Sequence, residues 1–139
     1  MTVSDDAAAV LASVQTVVVV DWPTPDVPAG LARAGLAVWV KGGPGPDQYA
    51  EYEWTGADVV IRRAGHRPDH ADLVYAYRPL GELPGIVALA ETVGAGAVWR
   101  EPTSAEDEEQ AREVVEAAGL RYLSGPDIVG AVRQAHRPA

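Results

Sequence analysis

Several basic side chains stand directly after short apolar segments that have the character of β-strands. They make up five of the 11 Lys and Arg residues of the chain. Guanidinium and ammonium groups hold phosphate oxygens by charge-assisted hydrogen bonds, so this pattern offers the chemistry of binding a phosphorylated anion. The five residues are Lys41, Arg62, Arg63, Arg78 and Arg100.

The first apolar segment, Thr16–Val20, is followed instead by Asp21. In a nucleotide-binding crossover the turn after the first strand is normally rich in glycine, so that phosphate can approach the backbone. Here the turn DWPTPDVP contains Asp21, Trp22 and three prolines. One uncompensated contact between the carboxylate and a phosphate costs about 1–4 kcal/mol at intermediate dielectric. The pattern therefore leaves two interpretations open: an anion site, or arginines that only mark where strands reach the surface, with Asp21 neutralising a neighbour.

Composition restricts the class of protein. The chain has 139 residues, 47% of them hydrophobic, which predicts one domain over 1–139 with a substantial core. Its net charge of -9 argues against nonspecific binding to nucleic acid or to anionic membranes. There is no cysteine, which excludes disulfides, thiol catalysis and thiolate metal sites. The apolar runs are short and the first residues are acidic, so we expect a cytoplasmic protein.

Strand-like and helix-like segments alternate along the chain. We predict strands over 16–20, 36–40, 58–61, 73–77, 97–99 and 121–123, and helices over 4–14, 27–34, 83–93, 104–118 and 126–135. Alternation over short connections implies right-handed βαβ units. The prediction is an α/β fold: a doubly wound, mostly parallel sheet of five to six strands with helices on both faces. Ligands bind such sheets at the carboxyl ends of the strands.

Three stretches resemble the CoA-binding domain family, small Rossmann-like proteins related to the CoA-binding domain of succinyl-CoA synthetase alpha subunits. Ala7–Val20 is similar to the opening helix and first strand of that family. Leu73–Trp99, with its YRP turn and AVW strand, is the most specific stretch, and Ala111–Ser124 resembles the last helix and strand. The resemblance implies a bacterial, non-catalytic protein that binds CoA or acyl-CoA.

The resemblance also implies which residues touch the ligand, at the carboxyl ends of the strands. Carried over by position, these cofactor-binding candidates are Trp22, Pro23, Thr24, Lys41, Gly42, Gly43, Arg78, Pro79, Trp99, Arg100, Ser124, Gly125 and Pro126. Lys41 and Arg78 would neutralise phosphates, and the helix that starts near Gly81 would direct its positive end at them.

The chain departs from the family pattern at diagnostic positions. Asp21 stands where the family has glycine, Lys41-Gly42-Gly43 replaces an Asn-Pro, and residues 51–70 are unlike the family. An alternative is therefore a degenerate member that no longer binds CoA and acts as an interaction or structural module. A third interpretation is an enzyme, such as an acyl-CoA ligase fragment acting with a partner subunit.

Other chemistry has weaker support in the sequence. His66 and His70 are four residues apart, as metal ligands on a helix would be, but Pro68 lies between them and GHRPDH is typical of a solvated loop. Asp21 after VVVV also resembles a phospho-acceptor aspartate, although Trp22 stands where a second acid is needed. No serine has the context of a nucleophile elbow, and no general base is placed by spacing.

Overall fold

A computed structural model of the chain describes residues 5–20, 26–42, 48–76, 80–100, 104–124 and 128–136. Within these ranges seven strands form one sheet in the order β4-β3-β2-β1-β5-β6-β7. The strands are β1 (Thr16–Val20), β2 (Ala37–Lys41), β3 (Tyr49–Trp54), β4 (Val59–Arg63), β5 (Leu73–Ala76), β6 (Ala97–Arg100) and β7 (Arg121–Ser124). The helices are α1 (Asp5–Ser13), α2 (Asp26–Arg33), α3 (Leu83–Val93), α4 (Ala105–Ala117) and α5 (Ile128–Ala135), and a 3-10 turn at Leu80–Glu82 precedes α3.

The doubly wound α/β fold is confirmed, with a sheet of seven strands rather than the five to six expected. β1 lies between β2 and β5 and is parallel to both, and β5, β6 and β7 continue the parallel part. β3 is antiparallel to β2 and to β4. The sheet is therefore mixed, and its antiparallel part is confined to one side.

The antiparallel part is a hairpin, β3–β4, where the sequence predicted a single strand over 58–61. β3 was missed because YAEYEW alternates aromatic and acidic residues and so lacks a continuous apolar run. Its tip is a tight turn in which Gly56 adopts a φ of 94°, which glycine tolerates without strain. Thr55 closes this turn, since its N–H donates to the carbonyl of Asp58 at 3.0 Å.

Helices cover the two faces of the sheet in the way that a doubly wound fold requires. On one face, which we call the α2 face, α1, α2 and α5 bury residues such as Val17, Val19 and Trp99. On the other, the α3 face, α3 and α4 bury Val18 and Val98. Because β1 is buried on both sides, its run of β-branched residues needs no polar alternation.

Local sequence signals set the helix ends. The side-chain oxygen of Ser104 accepts a hydrogen bond from the backbone N–H of Asp107 at 3.1 Å, which caps α4 as predicted. α3 ends at Gly94, which adopts a left-handed φ of 73°. Within the described ranges, every helix is too short or too polar to cross a lipid bilayer.

Candidate functional site

The winding of the chain reverses between β1 and β5. From β1 the chain leaves through α2, which packs on the α2 face, whereas from β5 it leaves through α3 on the opposite face. The register places the last residues of three strands side by side, since Val20 pairs with Lys41 on one side and with Ala76 on the other. Neighbouring strands lie about 4.8 Å apart, so these three positions form one row at the edge where ligands bind in such folds. We call this row, with the segments that follow it, the carboxyl edge.

Many of the sequence-predicted site residues lie outside the described residues. They belong to the segments after β1, β2, β5 and β7 and are Trp22, Pro23, Thr24, Gly43, Arg78, Pro79, Gly125 and Pro126. Asp21 also lies outside the described residues. The positions that the structure describes are Lys41, Gly42, Trp99, Arg100 and Ser124.

Lys41 and Gly42 lie at the carboxyl edge as predicted. Lys41 is the last residue of β2 and is partly buried beside Val20. The N–H of Gly42 donates to the carbonyl of Gln48 at 3.0 Å, so the chain returns to β3 from the same edge. Among the described residues, no atom lies within 4 Å of the place where a Gly42 side chain would begin.

Arg100 ends β6 at the same edge, but its side chain is buried, with only 1% exposed. Its two terminal nitrogens donate to the two carboxylate oxygens of Asp107, at 2.5 and 3.1 Å. This two-pronged pair joins the end of β6 to the first turn of α4. Arg100 thus holds the start of α4 against the sheet, a role that the sequence did not indicate.

Ser124, beside Arg100 at the end of β7, belongs to the same polar cluster. Its hydroxyl donates a hydrogen bond to Glu108 of α4. Arg112 lies 5.1 Å from the ring centre of Tyr122, and the Tyr122 hydroxyl is buried with no hydrogen-bond partner among the described residues. Burial, followed by the negative charge of Glu108, raises the pKa of that hydroxyl. Ser124 is therefore engaged by α4 within the described structure.

Trp99 corrects the predicted site. Its side chain is 1% exposed and packs on the α2 face, in the core. Since β-strand side chains alternate between faces, Trp99 points to the face opposite Arg100. We therefore assign Trp99 to the core and leave it out of the ligand-binding set.

Arg62 and Arg63 lie within β4 rather than after it, which also corrects the predicted positions. Arg62 points across the hairpin and pairs with Glu53 at 2.5 Å and with Glu51 at 4.0 Å. Arg63 is exposed, and no described side chain pairs with it. It faces an open cleft of about 710 Å³ that also includes Gly42, Tyr52 and Ile61. The sequence reasoning missed this cleft because it missed β3.

The two predicted loop histidines lie in the irregular segment between β4 and β5. His66 packs against Trp39, with 5.4 Å between ring centres, and its Nδ1 lies 2.9 Å from the carbonyl of Arg67. His70 bonds through Nε2 to Asp72 at 3.0 Å. Within the described ranges, no three His, Asp or Glu side chains are arranged to hold a metal ion.

Asp72 ties this segment to the start of β1. Its carboxylate accepts hydrogen bonds from the backbone N–H groups of Gln15 and Thr16, both at 3.0 Å, as well as from His70. Partial burial alone would raise the pKa of Asp72, but the bonds from Gln15, His70 and Thr16 outweigh it and lower the pKa below its usual value of 3.8. This cluster lies at the amino ends of the strands, opposite the carboxyl edge.

The topology and the carboxyl edge define a doubly wound, Rossmann-like α/β protein. No protein-family model matches the sequence, and a comparison with curated proteins gives no match. Among solved structures, the chain is similar to cell-free ID.343 from Thermus thermophilus, with a TM-score of 0.62, 16% identity and coverage of 94% of this chain and 96% of that one. It is also similar to Prb, described as the PH1109 protein redesigned for binding, with a TM-score of 0.64, 19% identity and coverage of 98% and 91%. At these identities the likeness shows the fold alone.

Proposed function

We propose that this protein binds an anionic, nucleotide-type ligand at the carboxyl edge, with CoA or acyl-CoA as the first candidate. The observation that carries the proposal is the register of Val20 with Lys41 and Ala76 at the point where the winding reverses. In open α/β sheets the crevice at this point is the usual place for a ligand. The resemblance to the CoA-binding domain family favours CoA within the nucleotide class.

The charges at the edge support an anion. Lys41 supplies a cation at the end of β2, and Arg78 follows β5 by two residues in the sequence. Arg63 adds an exposed cation to the neighbouring cleft, whose size of about 710 Å³ lies within the range of small-molecule sites. Arg100 and Arg62 add less positive charge to the edge than their sequence positions suggested, because Asp107 pairs with Arg100 and Glu53 pairs with Arg62.

Asp21 is the feature that opposes the proposal. It follows Val20, the middle residue of the row, directly in the sequence, and a carboxylate close to a bound phosphate would repel it. If the basic residues of the edge compensate for it, removal of the charge in Asp21→Gly leaves CoA affinity equal or improves it. If Asp21 instead serves as an internal partner for Lys41 or Arg78, the same substitution destabilises the fold.

A thermal-shift titration with CoA, acetyl-CoA, ATP and NAD at low salt tests the proposal. Binding to the folded state raises the melting temperature by mass action. We expect a rise with the CoA compounds that Arg78→Ala abolishes. Arg33→Ala is the matched control, because Arg33 is an exposed arginine in the last turn of α2, at the opposite edge of the sheet, and it should leave the shift unchanged.

The absence of a shift at millimolar ligand would contradict the proposal. The alternative from the sequence, an interaction module that does not bind CoA, would then be favoured. One observation supports that alternative independently, since Trp54, Val60 and Ile61 expose large apolar side chains on one hairpin.

A further inference from the structure

β4 forms the outer edge of the sheet, and its backbone groups alternate in direction. On either side of β4, the carbonyl of Asp58 accepts from the N–H of Thr55, and the N–H of Ala64 donates to the carbonyl of Tyr49. In an antiparallel pair of strands, every second residue exchanges backbone hydrogen bonds with its partner strand. Counting from Asp58, Val60 and Arg62 therefore also bond to β3. The intervening residues of β4 therefore direct their N–H and C=O groups away from the sheet. They are Val59, Ile61 and Arg63.

This outward row has no partner within the described residues, and apolar side chains cluster around it. Four large hydrophobic residues of the described structure are markedly exposed, and three of them lie on β3–β4: Trp54 at 37%, Val60 at 40% and Ile61 at 55%. Natural edge strands are usually protected by proline, bulges or central charges. The centre of β4 has none of these, since its charges lie at its last two positions.

We propose that two copies of this chain associate through antiparallel pairing of β4 with β4, centred on Ile61. This interface is argued from the edge of β4 and not from the carboxyl edge, although Ile61 and Arg63 also line the neighbouring cleft. In this register the outward backbone groups of one copy bond to those of the other. Ile61 then faces Ile61 of the second copy, and Val59 faces Arg63 at both ends. Such a pairing is isologous, the commonest form of dimer symmetry, and joins two seven-stranded sheets into one.

The charges of β4 fit this partner. In the centred register neither arginine lies directly opposite an arginine, because Arg62 faces Val60 and Arg63 faces Val59. Antiparallel pairing also brings the basic end of each β4 close to the first residues of the partner strand, which directly follow the acidic Asp58. Arg62 is already neutralised within its own copy by Glu53 and Glu51. The surface is thus self-complementary in hydrogen bonds and compatible in charge.

Sedimentation equilibrium over a range up to millimolar protein tests the proposal. We expect a mass that approaches twice 14.6 kDa for the native chain. Ile61→Lys places two ammonium groups opposite each other at the centre, and like-charge juxtaposition should weaken the dimer about tenfold or more. Val114→Lys is the matched control, because Val114 is the fourth exposed large hydrophobic residue and lies on α4. It should leave the mass unchanged.

A cross-linking experiment keeps the proposal testable even if Ile61→Lys fails to fold. The native chain has no cysteine, so Ile61→Cys introduces a single thiol. Directly opposite hydrogen-bonded residues have Cα atoms about 5.5 Å apart, within the range that a disulfide spans. Ile61→Cys should form a disulfide-linked dimer under mild oxidation much faster than Val114→Cys.

Three results would overturn the proposal. The first is a single-chain mass at all concentrations, which would leave the edge free for some other partner. The second is a dimer that survives Ile61→Lys, and the third is equal cross-linking of the two cysteine variants. Either of the last two would place the interface elsewhere.

Discussion

Arg100 and Asp107 form a buried ion pair in which the two terminal guanidinium nitrogens donate to the two carboxylate oxygens, at 2.5 and 3.1 Å. The Arg100 side chain is 1% exposed and that of Asp107 is 13% exposed. The pair spans the connection from β6 to α4, next to the carboxyl edge. The ion pair therefore ties the last residue of β6 to the first turn of α4.

Asp107→Ala should lower the free energy of unfolding by about 3–5 kcal/mol, because it removes the carboxylate that neutralises the buried Arg100 charge. Urea denaturation at neutral pH measures this loss. Glu106→Ala is the control, since Glu106 is an exposed acid in the same turn and its removal should cost no more than about 1 kcal/mol. Equal effects of the two substitutions would show that the pair has no special role.

Replacing both partners with apolar residues should be far less damaging than removing one. The double variant Arg100→Met with Asp107→Leu removes both buried charges, and such replacements are often neutral or stabilising. We expect its midpoint in urea to lie above that of Asp107→Ala. A double variant that is less stable than the single one would contradict this expectation.

Tyr122→Phe should leave the stability unchanged or increase it slightly. Among the described residues no hydrogen bond of good geometry reaches the buried hydroxyl of Tyr122, so that only the nearby charges of Arg100 and Arg112 offset the cost of its desolvation. The ring itself, which packs beneath Arg112, is retained in phenylalanine. Thermal unfolding measures the change. A loss of more than about 1 kcal/mol, the worth of one hydrogen bond, would contradict this account.

Asp72 should make stability depend on pH in the acid range. Because the pKa of Asp72 is lowered in the folded state, its contribution is present above the unfolded pKa and is lost as pH falls through the folded value. The stability difference between the native chain and Asp72→Asn should therefore shrink between about pH 5 and pH 2. Asp69→Asn, which removes an exposed aspartate nearby, is the control variant. A difference that stays constant with pH would exclude the role assigned to Asp72.

Ser104→Ala should cost about 1 kcal/mol, since it leaves the N–H of Asp107 without its cap. Ser104→Asp keeps an acceptor at the same position and should retain most of the stability. Denaturant unfolding of the two variants distinguishes a capping role from a side chain that merely fills space, for which both substitutions would behave alike.

The parallel part of the fold could be predicted closely from sequence. Runs such as TVVVV are typical of strands covered on both faces, and β1 is buried along four of its five residues. The bounds 83–93 predicted for α3 were confirmed at both ends, because a proline near the start and Gly94 after the end are strong local signals. Residue types within and next to these elements determine where they begin and end, so a single sequence is enough to predict them.

The hairpin and the burial of Arg100 were not predicted, since both depend on tertiary pairing. YAEYEW does carry a period-two pattern before a turn with glycine, and this signal could have identified β3. For Arg100 the available signal was Asp107, an acid seven residues further on that was interpreted only as part of a capped helix start. Lys41, Arg63 and Arg100 are each the last residue of a strand that was predicted to end before it, and Arg62 lies one position inside β4.

The central claim is that the carboxyl edge binds an anionic nucleotide, and amide NMR spectra recorded during a CoA titration test it most directly. The account predicts that saturable shifts concentrate on Val20, Lys41, Gly42 and Ala76, and that Gly56 at the hairpin tip stays unchanged. The same titration of Arg78→Ala should give no saturable shift. Spectra of the native chain that do not change at millimolar CoA, or shifts confined to the opposite edge around Asp72, would contradict the account.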